Sequence, residues 1–246
     1  MAQSAASPEV LKDLAPTGKV RAAINVGNPV LVQRGADGTP NGVSPALARE
    51  LAKRLGVPLD MVIFDSAGKV FDAIKAATWD IAFLAIEPVR AAEIEFTAPY
   101  VIIEGTYMVP KNSPLKTVND VDRAGIRVAV GTGAAYDLYL TRTLKHAALV
   151  RSAAGGASGM NVSFEADKVD AAAGVRQALM SYAKKHPDVR VMDDKFMEIR
   201  QAMGTHKGRL AGARYLNAFV EEMKASGFVA DALARSQQSA TVAPPA

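Results

Sequence analysis

The stretch Trp79-Asp80-Ile81-Ala82-Phe83-Leu84-Ala85-Ile86-Glu87-Pro88-Val89-Arg90 decides the class of fold. A strand wetted on one face alternates polar and apolar residues. The unbroken apolar run from Ile81 to Ile86 instead reads as a strand covered on both sides, as in a parallel sheet sandwiched by helices. Glu87-Pro88 then ends it, because proline offers no N–H to a ladder.

Upstream, Val20–Asn25 reads as a second buried strand, broken by Gly27-Asn28-Pro29. Residues 35–42 read as a polar loop or hairpin tip. Ser44 is placed to cap a helix with Pro45 in its first turn. Leu47, Ala48, Leu51, Ala52 and Leu55 recur at helical spacing, and Gly56 and Pro58 close the helix. Leu59–Phe64 is a further strand, followed by a helix from about Lys69 to Ala77. This β-α-β-α-β order implies a parallel sheet.

After Thr106 the rhythm restarts. Ile126–Val130 is a strand, Ala134–His146 a helix, Ala147–Val150 a short strand and Gly155–Gly159 a flexible loop. Val169–Gly174 is a strand, Gln177–Lys185 a helix and Val189–Met192 a strand. Arg209–Lys224 is an amphipathic helix with Leu216, Phe219, Val220 and Met223 inward. The polar, then Pro/Ala-rich tail 236–246 is expected to be disordered.

Composition removes several function classes. The 246 residues contain no cysteine, which excludes disulfides, thiolate zinc sites and cysteine nucleophiles. Net charge is +4 and aromatics make up 6%, with basic residues scattered. That argues against a nucleic-acid surface and for a solvated surface mildly favouring small anions. No apolar run reaches the ~18 residues that span a bilayer. The first residues lack the basic start and apolar stretch of a secretory signal, so the chain reads as cytoplasmic unless a signal was trimmed, and periplasmic if it was. His146, His186 and His206 are far apart, without metal-ligand spacing, and read as surface or capping groups. No cofactor or metal is expected.

The ordered set Trp79-Asp80-Ile81, Glu87-Pro88-Val89-Arg90-Ala91-Ala92-Glu93 and Phe96-Thr97-Ala98-Pro99-Tyr100 resembles the type II solute-binding proteins of polar-amino-acid importers. Gly38 and Gly42, Val128–Gly133, Val169–Ala172 and Gly227-Phe228 extend the resemblance over about Val20 to Arg235. It implies an α/β, two-lobed periplasmic-binding-protein-like type II fold, each lobe a mainly parallel sheet flanked by helices, joined by two crossover segments near Pro99–Gly105 and Ile199–Gly204. Lobe 1 would comprise 1–103 plus 201–246, and lobe 2 104–200. Such lobes close on a ligand by hinge motion. The implied function is that of the substrate-binding protein of an amino-acid-type ABC transporter, a monomer, not membrane-inserted, with a small carboxylate ligand and a permease as partners.

Arg90 is the leading site residue, because in the resembled family the arginine of this turn clamps the ligand carboxylate. Spacing alone favours an arginine paired with Glu87 or Glu93; the surrounding string favours binding. Gly133-Ala134-Ala135 opens a helix after a strand, where main-chain donors attract anions, with Thr132 and Tyr136 alongside. Glu87 stands where the family has a small hydroxyl residue, and Val175, after Gly174, where it has an acid for the ligand's ammonium. Either Glu87 replaces that acid, or it orients Arg90 for an anion without an amino group. Ala85, Asn25, Asn28, Ser66 and Gly174 complete the expected site, although Asn-Pro turns and Asp-Ser caps are also common structure. Two other readings stand beside this one. The first is a cyclohexadienyl (arogenate/prephenate) dehydratase-like enzyme with Glu87 as general acid. The second is a cytosolic ligand sensor.

Overall fold

The structure is a computed structural model, and it describes residues 6–152, 157, 161, 164–165 and 169–246. Except for Ala157, the loop expected at Gly155–Gly159 lies outside the described residues. In chain order the elements are α1 (Pro8–Leu14), β1 (Val20–Asn25), β2 (Gln33–Arg34), β3 (Pro40–Asn41), α2 (Val43–Leu55), β4 (Leu59–Phe64), α3 (Ala67–Asp72), β5 (Ile81–Ala85) and α4 (Pro88–Ala91). They continue with β6 (Ile94–Pro110), β7 (Arg127–Gly131), α5 (Ala135–Thr143), β8 (Ala148–Ser152), β9 (Ala171–Val175), α6 (Arg176–Ala183), β10 (Val189–Val191), β11 (Met197–His206), α7 (Leu210–Ala225), α8 (Phe228–Arg235) and β12 (Thr241–Val242).

These elements form two compact units. The first comprises residues 1–64, 69–102 and 200–246, the second residues 65–68 and 103–199. In the first, β1 lies between β4 and β5, parallel to both, and β11 runs antiparallel to β5 from Gln201↔Ala85 to Thr205↔Ile81. In the second, β7 lies between β8 and β9, again parallel to both, while β6 runs antiparallel to β9 and β10. Every residue of β5 is buried, as its unbroken apolar run requires. The second unit's core gathers Met108, Ala129, Val169, Ala172, Leu179 and Val189.

One buried carboxylate ties the first unit together. Asp80, fully buried at the head of β5, accepts Arg21 Nη2 at 2.7 Å and Nε at 2.9 Å, and also the Arg21 main-chain N–H at 3.1 Å. Arg209, just before α7, reaches the same carboxylate at 3.3 Å. The Asp80 carbonyl accepts the Thr205 hydroxyl at 2.9 Å. β1, β5, β11 and the entry to α7 therefore converge on one residue, and donating to the Asp80 carboxylate raises the pKa of Arg21.

Four local readings are corrected. Ser44 is not the cap of α2: the helix starts two residues earlier, at Val43 after Gly42 (φ +107°), and the Ser44 hydroxyl is buried 3.1 Å from the Tyr100 hydroxyl. α5 stops at Thr143 rather than His146, because the Asp122 carboxylate collects the N–H groups of Lys145, His146 and Ala147. His206 is not a surface group: its Nε2 donates to the Trp79 carbonyl at 2.7 Å and its ring packs on Trp79. Nor is the tail disordered throughout, since Thr241–Val242 pair with Ile102 and Val101 of β6 and Ala243 is buried. A short segment of Thr and Val satisfies an edge that composition alone does not reveal.

Asp80→Asn leaves Arg21 and Arg209 facing a neutral amide. We expect it to lower the unfolding free energy in urea by about 3 kcal/mol, as breaking a buried ion pair does. A loss below about 1 kcal/mol would remove Asp80 as the organiser of this unit.

Candidate functional site

In the first unit, β5 ends at Ala85 and the chain turns through Glu87 into the single turn of α4. Pro88 begins that turn, where its missing N–H costs nothing. The Glu87 carbonyl accepts the N–H of Arg90 at 3.0 Å and that of Ala91 at 2.9 Å. Arg200 holds the turn from β11, its carbonyl accepting the Ile86 N–H at 3.0 Å. Arg90 and Glu87 are 1% and 3% exposed, whereas their neighbours Ile86 and Val89 reach solvent. An arginine so fully withdrawn from water on a four-residue helix is not the surface residue that spacing allowed.

Arg90 Nη1 donates to the Ala85 carbonyl at 3.0 Å. Burial pulls the guanidinium pKa down to about 10, and the negative charge of Glu87 opposes that pull. The group therefore remains cationic at neutral pH. The end of β5 thus presents a permanent, largely dehydrated cation flanked by one main-chain acceptor and one carboxylate. Such a group is suited to a bidentate hold on a carboxylate.

Asn25 and Asn28 take up local turn structure. Asn25 Oδ1 accepts the Gly27 N–H at 3.0 Å, and Asn28 Oδ1 accepts the Val30 N–H at 3.2 Å. Both asparagines therefore brace the loop after β1.

In the second unit, β7 leads through Thr132 and Gly133 into α5. Gly133 has φ +71°, and a Cβ there would sit 2.9 Å from the Gly68 Cα, so two glycine backbones touch at the helix start. Ser66, in the same 65–68 segment, is buried. Two of the main-chain donors and the hydroxyl expected at this helix start have partners within the unit. The Gly133 N–H goes to Asp137 Oδ2 at 2.8 Å and the Ala134 N–H to the Gly131 carbonyl at 3.1 Å. The Thr132 hydroxyl donates to the Ser152 carbonyl at 2.6 Å. Ala135 and Tyr136 are buried in the first turn of α5, and Gly174 is buried in β9 opposite Thr106.

Sequence reasoning missed Asp137. It lies 3% exposed in the first turn of α5 and binds Arg151 Nε at 2.9 Å. The signal was available, because an acid in the first turn of a helix is the usual partner of its unpaired N–H groups. Asp137 brings a negative charge to this helix start. Among the described residues no cluster of histidine or acidic side chains could hold a metal ion, and no helix is long and apolar enough to cross a membrane.

The profile of the bacterial extracellular solute-binding proteins, family 3, matches residues 20–236. The chain belongs to this family. Solved structures agree at the level of the fold. A mutant ArgBP from T. maritima superposes with TM-score 0.78 at 19% identity, over 93% of this chain and 99% of that one. The cysteine-binding protein from Campylobacter jejuni gives 0.78 at 20%, over 92% of each chain. The ancestral amino acid-binding protein AncCDT-1, a precursor of cyclohexadienyl dehydratase, gives 0.75 at 21%, over 92% and 98%. No curated protein gives a sequence match. This family 3 chain thus has the α/β type II binding-protein fold, its matched region running from the first residue of β1 to the residue after α8.

Replacing Asp137 by alanine removes the acceptor of the Gly133 N–H and the partner of Arg151. We expect a loss of about 2–3 kcal/mol in urea unfolding, with Asp137→Asn, which keeps an acceptor, losing less. Equal stability of all three proteins would show that the carboxylate does not organise the start of α5.

Proposed function

We propose that this chain is the solute-binding component of an importer and holds a small carboxylate-bearing molecule, an amino acid or a related organic acid, through Arg90. The observation that carries the reading is the buried guanidinium at the end of β5, held by the Ala85 carbonyl beside Glu87. It sits on a chain of a family described as extracellular and solute-binding, which favours an importer over a cytosolic sensor. Its pKa of about 10 keeps it charged across the physiological range, and its withdrawal from water strengthens any ion pair it forms.

In this reading the protein supplies differential affinity and no bond chemistry. The ligand's carboxylate exchanges its water for two parallel N–H donors, and Glu87 sets the charge that the rest of the ligand must match. Calorimetry against the amino acids and short organic acids tests it. One or more should bind, and Arg90→Ala should weaken binding about a hundredfold, the ~3 kcal/mol upper value for a hydrogen bond to a charged group. Unchanged affinity in that variant would remove Arg90 from the site.

A second reading is supported by one observation, the nearly complete burial of Glu87 in a fold shared with a precursor of cyclohexadienyl dehydratase. Glu87 would then protonate a leaving hydroxyl as general acid. Turnover of prephenate or arogenate that Glu87→Gln abolishes would establish this reading; its absence in the intact protein excludes it.

A further inference from the structure

Three arginines from three separate elements of the first unit surround one concavity. Arg34 comes from β2, Arg49 from α2 and Arg235 from the last turn of α8, and together with the carboxamides of Gln33, Asn41 and Gln237 they line a cavity of about 490 Å³. Its wall contains no aspartate or glutamate. Several arginines elsewhere in the molecule are matched to acids: Arg21 to Asp80, Arg54 to Glu50 and Glu222, Arg151 to Asp137 and Arg176 to Glu104. Among the described residues, Arg34, Arg49 and Arg235 are in no ion pair.

Their positions are set by backbone that has other reasons to be where it is. Gly42, at φ +107°, admits no side chain, because a Cβ would lie 2.5 Å from the Leu31 carbonyl oxygen, and this fixes the β2–β3 hairpin against the start of α2. Arg49 Nη2 donates to the Pro40 carbonyl at 2.7 Å, which orients one guanidinium across the hairpin. The main-chain donors of α2 add little, since the Ser44 N–H goes to the Leu31 carbonyl at 3.2 Å and Pro45 has none. The charge of the cavity is therefore that of its side chains. Three guanidiniums that cannot lose their protons repel one another, and an anion among them relieves that repulsion.

We infer that this cavity binds a small multivalent oxyanion, a polycarboxylate or a phosphate, at a site distinct from Arg90. The ligand's charges would be shared by planar forks able to take two oxygens each, and its polar remainder by Gln33, Asn41 and Gln237. The volume suits a small molecule, within the usual range for ligand pockets.

Calorimetry on the full chain with citrate, and separately with inorganic phosphate, tests the inference and separates the two sources of the charge. At least one should bind. The double variant Arg34→Gln, Arg235→Gln should bind it at least about tenfold more weakly, with thermal unfolding unchanged because both side chains are exposed. Arg90→Ala should bind it as the parent does, and the double variant should keep the parent's response to the amino-acid panel. The site thus stands or falls separately from the reading of Arg90. The inference is overturned if neither anion binds, if the double variant binds as the parent does, or if Arg90→Ala abolishes the binding. It is also overturned if an acidic polyglutamate peptide binds through these arginines while citrate and phosphate do not.

Discussion

The ion pair between Asp80 and Arg21 is the constraint on which the first unit depends. A carboxylate with no exposure to water is tolerable only when its charge and lone pairs are answered locally. Asp80 is answered by two guanidiniums and a main-chain N–H. Each donor comes from an element that must then lie where the carboxylate is, so β5 is locked beside β1 and before α7. The remainder of β5 inherits that placement. Its apolar residues fill the core, and the turn that begins at Ala85 is delivered at a fixed height with Glu87 and Arg90 on it.

The two ends of β5 thus bear buried charges of opposite kind. At the head, the carboxylate is neutralised by the protein's own arginines and serves stability. At the tail, a guanidinium is kept out of water beside one carbonyl and one acid, and burial lowers its pKa against the pull of Glu87. The start of α5 resembles the head of β5. There Asp137 accepts from the Gly133 N–H and pairs with Arg151.

Much of the fold was legible because its signals are local. The apolar run 81–86 has no other comfortable home than a strand covered on both faces, and the helical spacing of Leu47, Leu51 and Leu55 dictates which side of α2 is buried. What escaped depended on partners distant in sequence. Ser44 looks like a cap until Tyr100, far along the chain, claims its hydroxyl. Thr241 and Val242 look like tail until β6 offers them a ladder. The site was legible in the same uneven way. Arg90 stood out through the string around it, and its burial is a property of the folded unit. The donors at Gly133 and Thr132 were correctly placed at a strand-to-helix turn, but the residues that use them, Asp137 and Ser152, lie four and twenty positions further on.

The most direct test of the account is arginine-selective proton–nitrogen NMR during titration with the tightest carboxylate of the amino-acid and organic-acid panel. The Arg90 Nε–Hε resonance can be assigned by its disappearance in Arg90→Lys. If the guanidinium at the end of β5 holds the solute's carboxylate, that resonance moves with saturation in step with the calorimetric affinity. An Arg90 signal that stays in place at full saturation, while other arginines respond, would contradict the account.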